Sequence, residues 1–228
     1  VWFGLVCAAA VLLLSFLPER PALVRARRLG FAGVCLAPVL ALGTLASLFV
    51  GDQFQYRFVF AHGDVTTSLG YKIAGIWSGQ EGSFLLWAST TAIFAYLAGR
   101  PGGTLERPVM ATFAGFLGAL FAILVVETPF DLLRDVTTKT GVIILPGATD
   151  WNVIHPPTIF SGFGSLAIPF AFAVGAMVTG DTDEWAKRAR PWVLVGLSIL
   201  GLGLVMGGLW AYETQGWGGF WMWDPVEN

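Results

Sequence analysis

Charge is what this 228-residue chain has least of. Asp, Glu, Lys and Arg make up 12% of it, about half of the ~25% usual in a soluble chain. Hydrophobic residues make up 55%, and mean hydropathy is +0.70. That balance excludes a soluble domain around one large core and fits a membrane protein. The net charge of −2 excludes a nucleic-acid surface. Histidine is nearly absent: there are only His62 and His155. With two cysteines and no CxxC, a zinc or iron site built wholly from protein ligands at the usual spacing is excluded. Cys7 and Cys35 fall in apolar stretches and read as buried, inert thiols, so any sulfur chemistry needs a partner's thiol.

Where charge is missing, helices can cross a membrane. Residues 29–50, 82–99, 109–126, 158–179 and 192–212 hold no charged side chain, and each run is 18 to 22 residues long. That is enough to span a ~30 Å hydrocarbon layer at ~1.5 Å per residue. Residues 1–17 are also uncharged but lack the basic start and small-residue cleavage site of a signal peptide, so they read as a clipped sixth span. The expected fold is an all-α, polytopic transmembrane bundle of six spans forming one multi-pass membrane domain. None of these spans contains Asp, Glu, Lys, Arg or His, which argues against a proton pump or ion-coupled transporter.

The connecting segments differ in basic residues. Residues 18–28, 100–108 and 180–191 hold nine, from Arg20 to Arg190, whereas 51–81 and 127–157 hold Arg57, Lys72, Arg134 and Lys139. The positive-inside bias puts the first set in the cytoplasm. It puts residues 51–81, 127–157 and 213–228 on the outer, periplasmic side of a bacterial-type inner membrane. Within the first outer segment, Leu69, Ile73, Ile76 and Trp77 recur at helical spacing, which predicts a short amphipathic helix on the membrane surface. Ser78 and Glu81 have capping-box spacing, which predicts a helix start there. Gly203 and Gly207, in GxxxG spacing, predict a close helix contact.

Both histidines fall on the outer side. His155, in NVIHPPTIF, precedes two prolines, which places it at the outer mouth of a span beginning near Pro157. A helix N-terminus favours neutral imidazole, the form that binds a metal. Two readings stay open there: a surface histidine capping a helix, or a ligand to a cofactor that brings most of its own ligands. His62, in FAHGD, reads as an ordinary loop histidine.

The chain ends on WGGFWMWDPVEN, with three tryptophans and two adjacent glycines in residues 217–223. An aromatic belt at the lipid headgroups accounts for one or two tryptophans. Glycines among aromatics instead let a flat ligand approach closely and stack, worth ~0.5–1.5 kcal/mol per aromatic pair beyond area. Haem, planar and apolar with an iron that takes axial histidine, fits such a platform. Asp224, Pro225 and Glu227 read as N-cap, first-turn proline and third-position acid. They predict a helix beyond residue 228 and a chain that is a fragment.

Four stretches together carry a family resemblance. WGGFWMWDPVEN resembles the WWD motif of haem-handling membrane proteins, and its DPVEN ending resembles the CcmF-type haem lyases of the multi-subunit cytochrome c maturation system. HGDVTTSLGYKIAGIWSGQEGSFLLW, ETPFDLL and NVIHPPTIF resemble that branch in order and spacing over about residues 50–228. Phe220 and Met222 stand where many relatives have another aromatic, and PGATDWNV departs from the usual Asn-Pro-Leu run.

The resemblance implies a haem platform of Trp217, Gly218, Gly219, Trp221, Trp223 and Asp224, with His155 as axial ligand to the haem iron. It implies that haem is bound as a substrate and joined to apocytochrome c CxxCH thiols. A second, embedded haem b would use residues absent from this chain. Implied partners are a haem chaperone, apocytochrome c, and the thiol-reducing and apocytochrome-handling subunits. No ligand role passes to His62, and no acid or base residue is implied. Other readings are a haem transporter, exporter or delivery protein, a paralogue dedicated to one cytochrome such as a nitrite reductase, and a scaffold whose tryptophans are only belt.

Overall fold

The structure, a computed structural model, describes residues 1–99, 102–133 and 150–214. Among the described residues the chain is helical, apart from one isolated antiparallel bridge between Tyr56 and Leu132. The helices are α1 (Trp2–Ser15), α2 (Pro21–Val50), α3 (Arg57–His62), α4 (Leu69–Gly75), α5 (Gln80–Ala98), α6 (Glu106–Val126), α7 (Trp151–Thr179) and α8 (Thr182–Thr214). A single 3₁₀ turn, Gly103–Leu105, leads into α6. Four segments are long and apolar enough to cross a membrane: Pro21–Val50, Gly103–Val126, Val153–Thr179 and Trp185–Thr214. The expected runs 1–17 and 82–99 are helices too, but α1 has 14 residues and α5 is too polar to qualify by composition.

The helices outrun the charge-free stretches by up to nearly three turns. α2 begins at Pro21 and α8 at Thr182, because ALVRARR and DEWAKRAR are rich in good helix formers. Absence of charge marks depth in the hydrocarbon, not the ends of a helix. Gly180, at φ 75°, ends α7 in a left-handed cap whose N–H donates to Ala176 O.

The polarity of α5 has a packing reason. It lies between α2 and α7, and its hydroxyls face them. Ser89 Oγ is 3.0 Å from Pro38 O of α2, and Thr90 Oγ1 is 3.0 Å from Phe160 O of α7. In lipid such hydroxyls stabilise helix contacts by ~0.6 kcal/mol each, so packing does more of the work. Around them Phe31, Phe113, Leu117, Phe121 and Leu85 are fully buried.

The two ends of the bundle are tied by polar groups. At one end Arg28 grips Glu106 through two bonds, at 2.6 and 3.0 Å. Arg27 holds Glu19 at 2.9 Å, Arg107 donates to Ser15 O, and Thr104 donates to Asp181. These contacts join the loops 18–28, 100–108 and 180–191. Arg28 is half-exposed, so solvent screens its pair and the contact orients the helix ends more than it stabilises them. At the other end Lys72 pairs with Asp52 at 2.5 Å, and Arg57 N–H donates to Asp131 O at 2.8 Å. A helix, α4, does form in the stretch expected to hold one, but it ends at Gly75, leaving Ile76, which is buried, and Trp77 beyond it; α3 was not foreseen. Ser78 forms no capping box: its hydroxyl donates to Gly75 O, and Gly79 caps α5.

One glycine decides the α5–α7 contact. A Cβ on Gly164 would stand 2.8 Å from the backbone nitrogen of Thr91, which cannot yield as a side chain can. Gly201 faces open space on α8. Thermal unfolding of the detergent-purified full-length protein should show Gly164→Ala destabilised by ~1–3 kcal/mol, while Gly201→Ala stays neutral or gains slightly. Equal effects from the two would refute this packing.

Candidate functional site

His155 does not precede its helix. α7 starts at Trp151 with Asp150 as N-cap, so His155 occupies the second turn and Pro156 and Pro157 continue the helix. Proline's fixed φ near −65° suits a helix already begun; the cost is two missing N–H donors in the second turn. His155 therefore lies within the apolar segment Val153–Thr179, where the sequence reading had placed no histidine.

This position brings the imidazole onto α8. Nδ1 is 2.9 Å from the carbonyl oxygen of Gly203. A carbonyl can only accept, so Nδ1 carries the proton and donates it. In the neutral ring Nε2 then holds the lone pair, and it has no hydrogen bond among the described residues. Fixing one ring nitrogen on a carbonyl is how proteins orient a metal-ligating histidine.

Three residues one helical face apart on α8 make the seat. Gly203 supplies the carbonyl. Gly207 supplies room: a Cβ there would be 2.8 Å from His155 Cε1. Trp210 stacks on the ring, with centroids 6.2 Å apart and planes 23° from parallel. Above them Trp151 Nε1 donates to Glu213 at 2.8 Å, pinning the start of α7 to the end of α8. Gly203 also lets the backbones close, since its Cβ would be 2.9 Å from Ile159 Cα. His155 is half-buried, a fixed rather than swinging side chain.

The donor set fits haem. No group of three or more His, Cys, Asp or Glu suited to a metal occurs among the described residues. A single oriented imidazole instead suits an iron that arrives with four nitrogens of its own. Trp210 Nε1 is buried without a hydrogen-bond partner among the described residues.

The other candidates stand apart from this seat. His62 ends α3, its Nδ1 donates to Phe58 O at 2.9 Å, and its ring packs on Phe58 at 4.4 Å. That is a packed structural setting. Cys35 lies buried within α2 as expected, whereas Cys7, within α1, is only partly buried. Trp217, Gly218, Gly219, Trp221, Trp223 and Asp224 lie outside the described residues. Trp210 escaped the sequence reading. Its signal was the shared face of Gly203, Gly207 and Trp210, but only a helix starting at Trp151 turns that face toward His155.

The chain is 35% identical over 195 residues to the cytochrome c-type biogenesis protein CcmF of Pseudomonas aeruginosa, covering 82% of this chain and 30% of the relative. It is 37% identical over 204 residues to the cytochrome c-type biogenesis protein CycK of Bradyrhizobium diazoefficiens, covering 85% and 31%. The chain thus spans about a third of the length of these curated relatives. Among solved structures, "Cytochrome c Heme Lyase CcmF" superposes with a TM-score of 0.84 at 27% identity, over 100% of this chain and 37% of that one. The sequence profile of the family described as cytochrome C assembly protein matches residues 77–228, from Trp77 through the tryptophan-rich tail, and the chain belongs to that family.

Proposed function

We propose that this chain is part of a haem lyase of cytochrome c maturation, which holds haem on the outer membrane face for attachment to apocytochrome c. The observation that carries this reading is His155, on the pair α7 and α8: Nδ1 is tied to Gly203 and Nε2 has no hydrogen bond among the described residues, with residues 217–224 following soon after in sequence. Haem would lie on Trp217, Trp221 and Trp223, with Gly218 and Gly219 admitting its plane and Asp224 closing the segment. His155 Nε2 would take one axial position on the iron. The apocytochrome's CxxCH would bring both thiols and, through its histidine, the second axial ligand.

Haem supplies two vinyl groups as the electrophilic partners. Each thiol adds across a vinyl double bond: a C–S bond forms, the S–H bond breaks and its proton ends on the vinyl carbon. No oxidant or reductant is consumed, and this chain need not provide a nucleophile. Its residues position the haem edge against the thiols, which is where rate is gained.

Several finer features belong to the same proposal. α1 and α5 cross the membrane as well, giving six spans, because α1 packs along α2 and α6, and α5 along α2 and α7, all of them long apolar helices. The nine basic residues of 18–28, 100–108 and 180–191 put that end in the cytoplasm of a bacterial-type inner membrane. A haem chaperone delivers the haem, and thiol-reducing and apocytochrome-handling subunits present the substrate. A second haem b would be held by residues outside this chain.

Three outcomes follow, each in the full-length protein. His155→Ala and Trp221→Ala should each cut covalent haem on a co-expressed apocytochrome c by about tenfold or more, read on a haem-stained gel. Unchanged yield from both would sink the proposal, and haem uptake into vesicles without apocytochrome would favour a transporter. Gly207→Val should mimic His155→Ala by displacing its ring, while Gly201→Val, facing open space, should not. With Cys7 and Cys35 replaced by serine, a membrane-impermeant maleimide applied from the periplasm should label Val65→Cys and spare Thr104→Cys. The opposite pattern would invert the orientation.

A further inference from the structure

At the basic end of the bundle lies a cavity of about 950 Å³ that plays no part in the haem site. It opens between the end of α1, the start of α2, the start of α6 and the end of α7. Its two halves differ in chemistry. The rim carries Arg27, Arg28 and Arg107 against Glu19 and Glu106, so one positive charge is left over. A smaller adjoining cavity shares Glu19 and Arg28 and adds Arg25, raising the surplus. The wall that runs toward the middle of the bundle is apolar, formed by Val24, Ala111, Val174 and Val178. Ala111 and Val174 each lie five residues in from their helix ends, about 7.5 Å deep at ~1.5 Å per residue.

The arginines are not used up by their neighbours. Arg28 spends Nε and Nη2 on Glu106, and Arg107 spends Nε on Ser15 O. Nη1 of Arg28 and both Nη groups of Arg107 make no hydrogen bond among the described residues. Arg27 is 3% exposed, and its Nε is buried without a partner among the described residues. A guanidinium this deep costs free energy unless its charge is matched, and Glu19, its one carboxylate, is itself half-exposed.

We propose that this cavity binds an anionic phospholipid, its phosphate on Arg28 and Arg107 over the buried charge of Arg27, its acyl chain along Val24, Ala111, Val174 and Val178. The shared chemistry is a phosphate monoanion, which guanidinium recognises with paired N–H donors. Two observations favour a lipid over free phosphate. The cavity is of a size that takes a drug-sized ligand, far larger than one phosphate. Half its wall has nothing to offer an inorganic ion. Its place at the end of the spanning helices is where lipid headgroups lie, and basic pockets between such helices suit anionic heads.

The test is native mass spectrometry of the full-length protein purified in mild detergent, then titrated with phosphatidylglycerol, phosphatidylcholine or inorganic phosphate. One phosphatidylglycerol should be retained and phosphatidylcholine should not, and millimolar phosphate should fail to displace it. Arg107→Ala should weaken retention by about tenfold, the loss of one charge-assisted contact. Val174→Trp fills the apolar wall without altering charge and should abolish retention, which keeps the test decisive if Arg107→Ala does not fold. Equal retention of both lipids, displacement by phosphate, or retention unchanged in the folded variants would overturn the proposal.

Discussion

The Nδ1–H of His155 donates to the carbonyl of Gly203 at 2.9 Å, across a contact between α7 and α8 that only glycine permits. The bond itself is worth little to stability, ~0.6 kcal/mol for a side-chain bond between membrane helices. Its consequence is chemical. It holds the proton on one nitrogen and leaves the lone pair on the other, aimed by Trp210 and by the gap at Gly207. Widening that contact by one methyl group displaces the ring it seats. The orientation of this imidazole is thus a property of helix packing.

The rest of the bundle keeps those two helices in place. α5 reaches α7 through Thr90 and the close approach at Gly164, and reaches α2 through Ser89. The polar clusters fix the ends: Arg28 with Glu106 at the basic end, and Lys72 with Asp52 and Arg57 with Asp131 at the other. Such a frame suits a protein that orients a large rigid substrate. The basic end does a second job if it holds lipid, since a headgroup there would neutralise the surplus charge beside buried Arg27.

Much of this was legible in the sequence, for identifiable reasons. Long uncharged runs gave the four spanning segments, because a charge in hydrocarbon is costly whatever the fold. Basic residues gave the shared end of three loops, which the structure joins through Arg28, Arg107 and Thr104. Gly203 and Gly207 were readable as a contact, but not as the seat of His155. That failed on Pro156 and Pro157: two prolines read as a boundary, whereas the helix was already under way from Trp151. α5 shows the converse, since its Ser89 and Thr90 hydroxyls are answered by backbone carbonyls of α2 and α7 that no sequence window sees. Trp210 carried no motif, only a position on a face.

The central claim is that His155 Nε2 binds haem iron. It is tested most directly by the Soret and visible spectrum of full-length His155→Gly, purified with and without imidazole. One histidine-ligated haem should be lost and should return when imidazole fills the space left by the side chain. Haem content and spectrum equal to the unaltered protein without imidazole would contradict it.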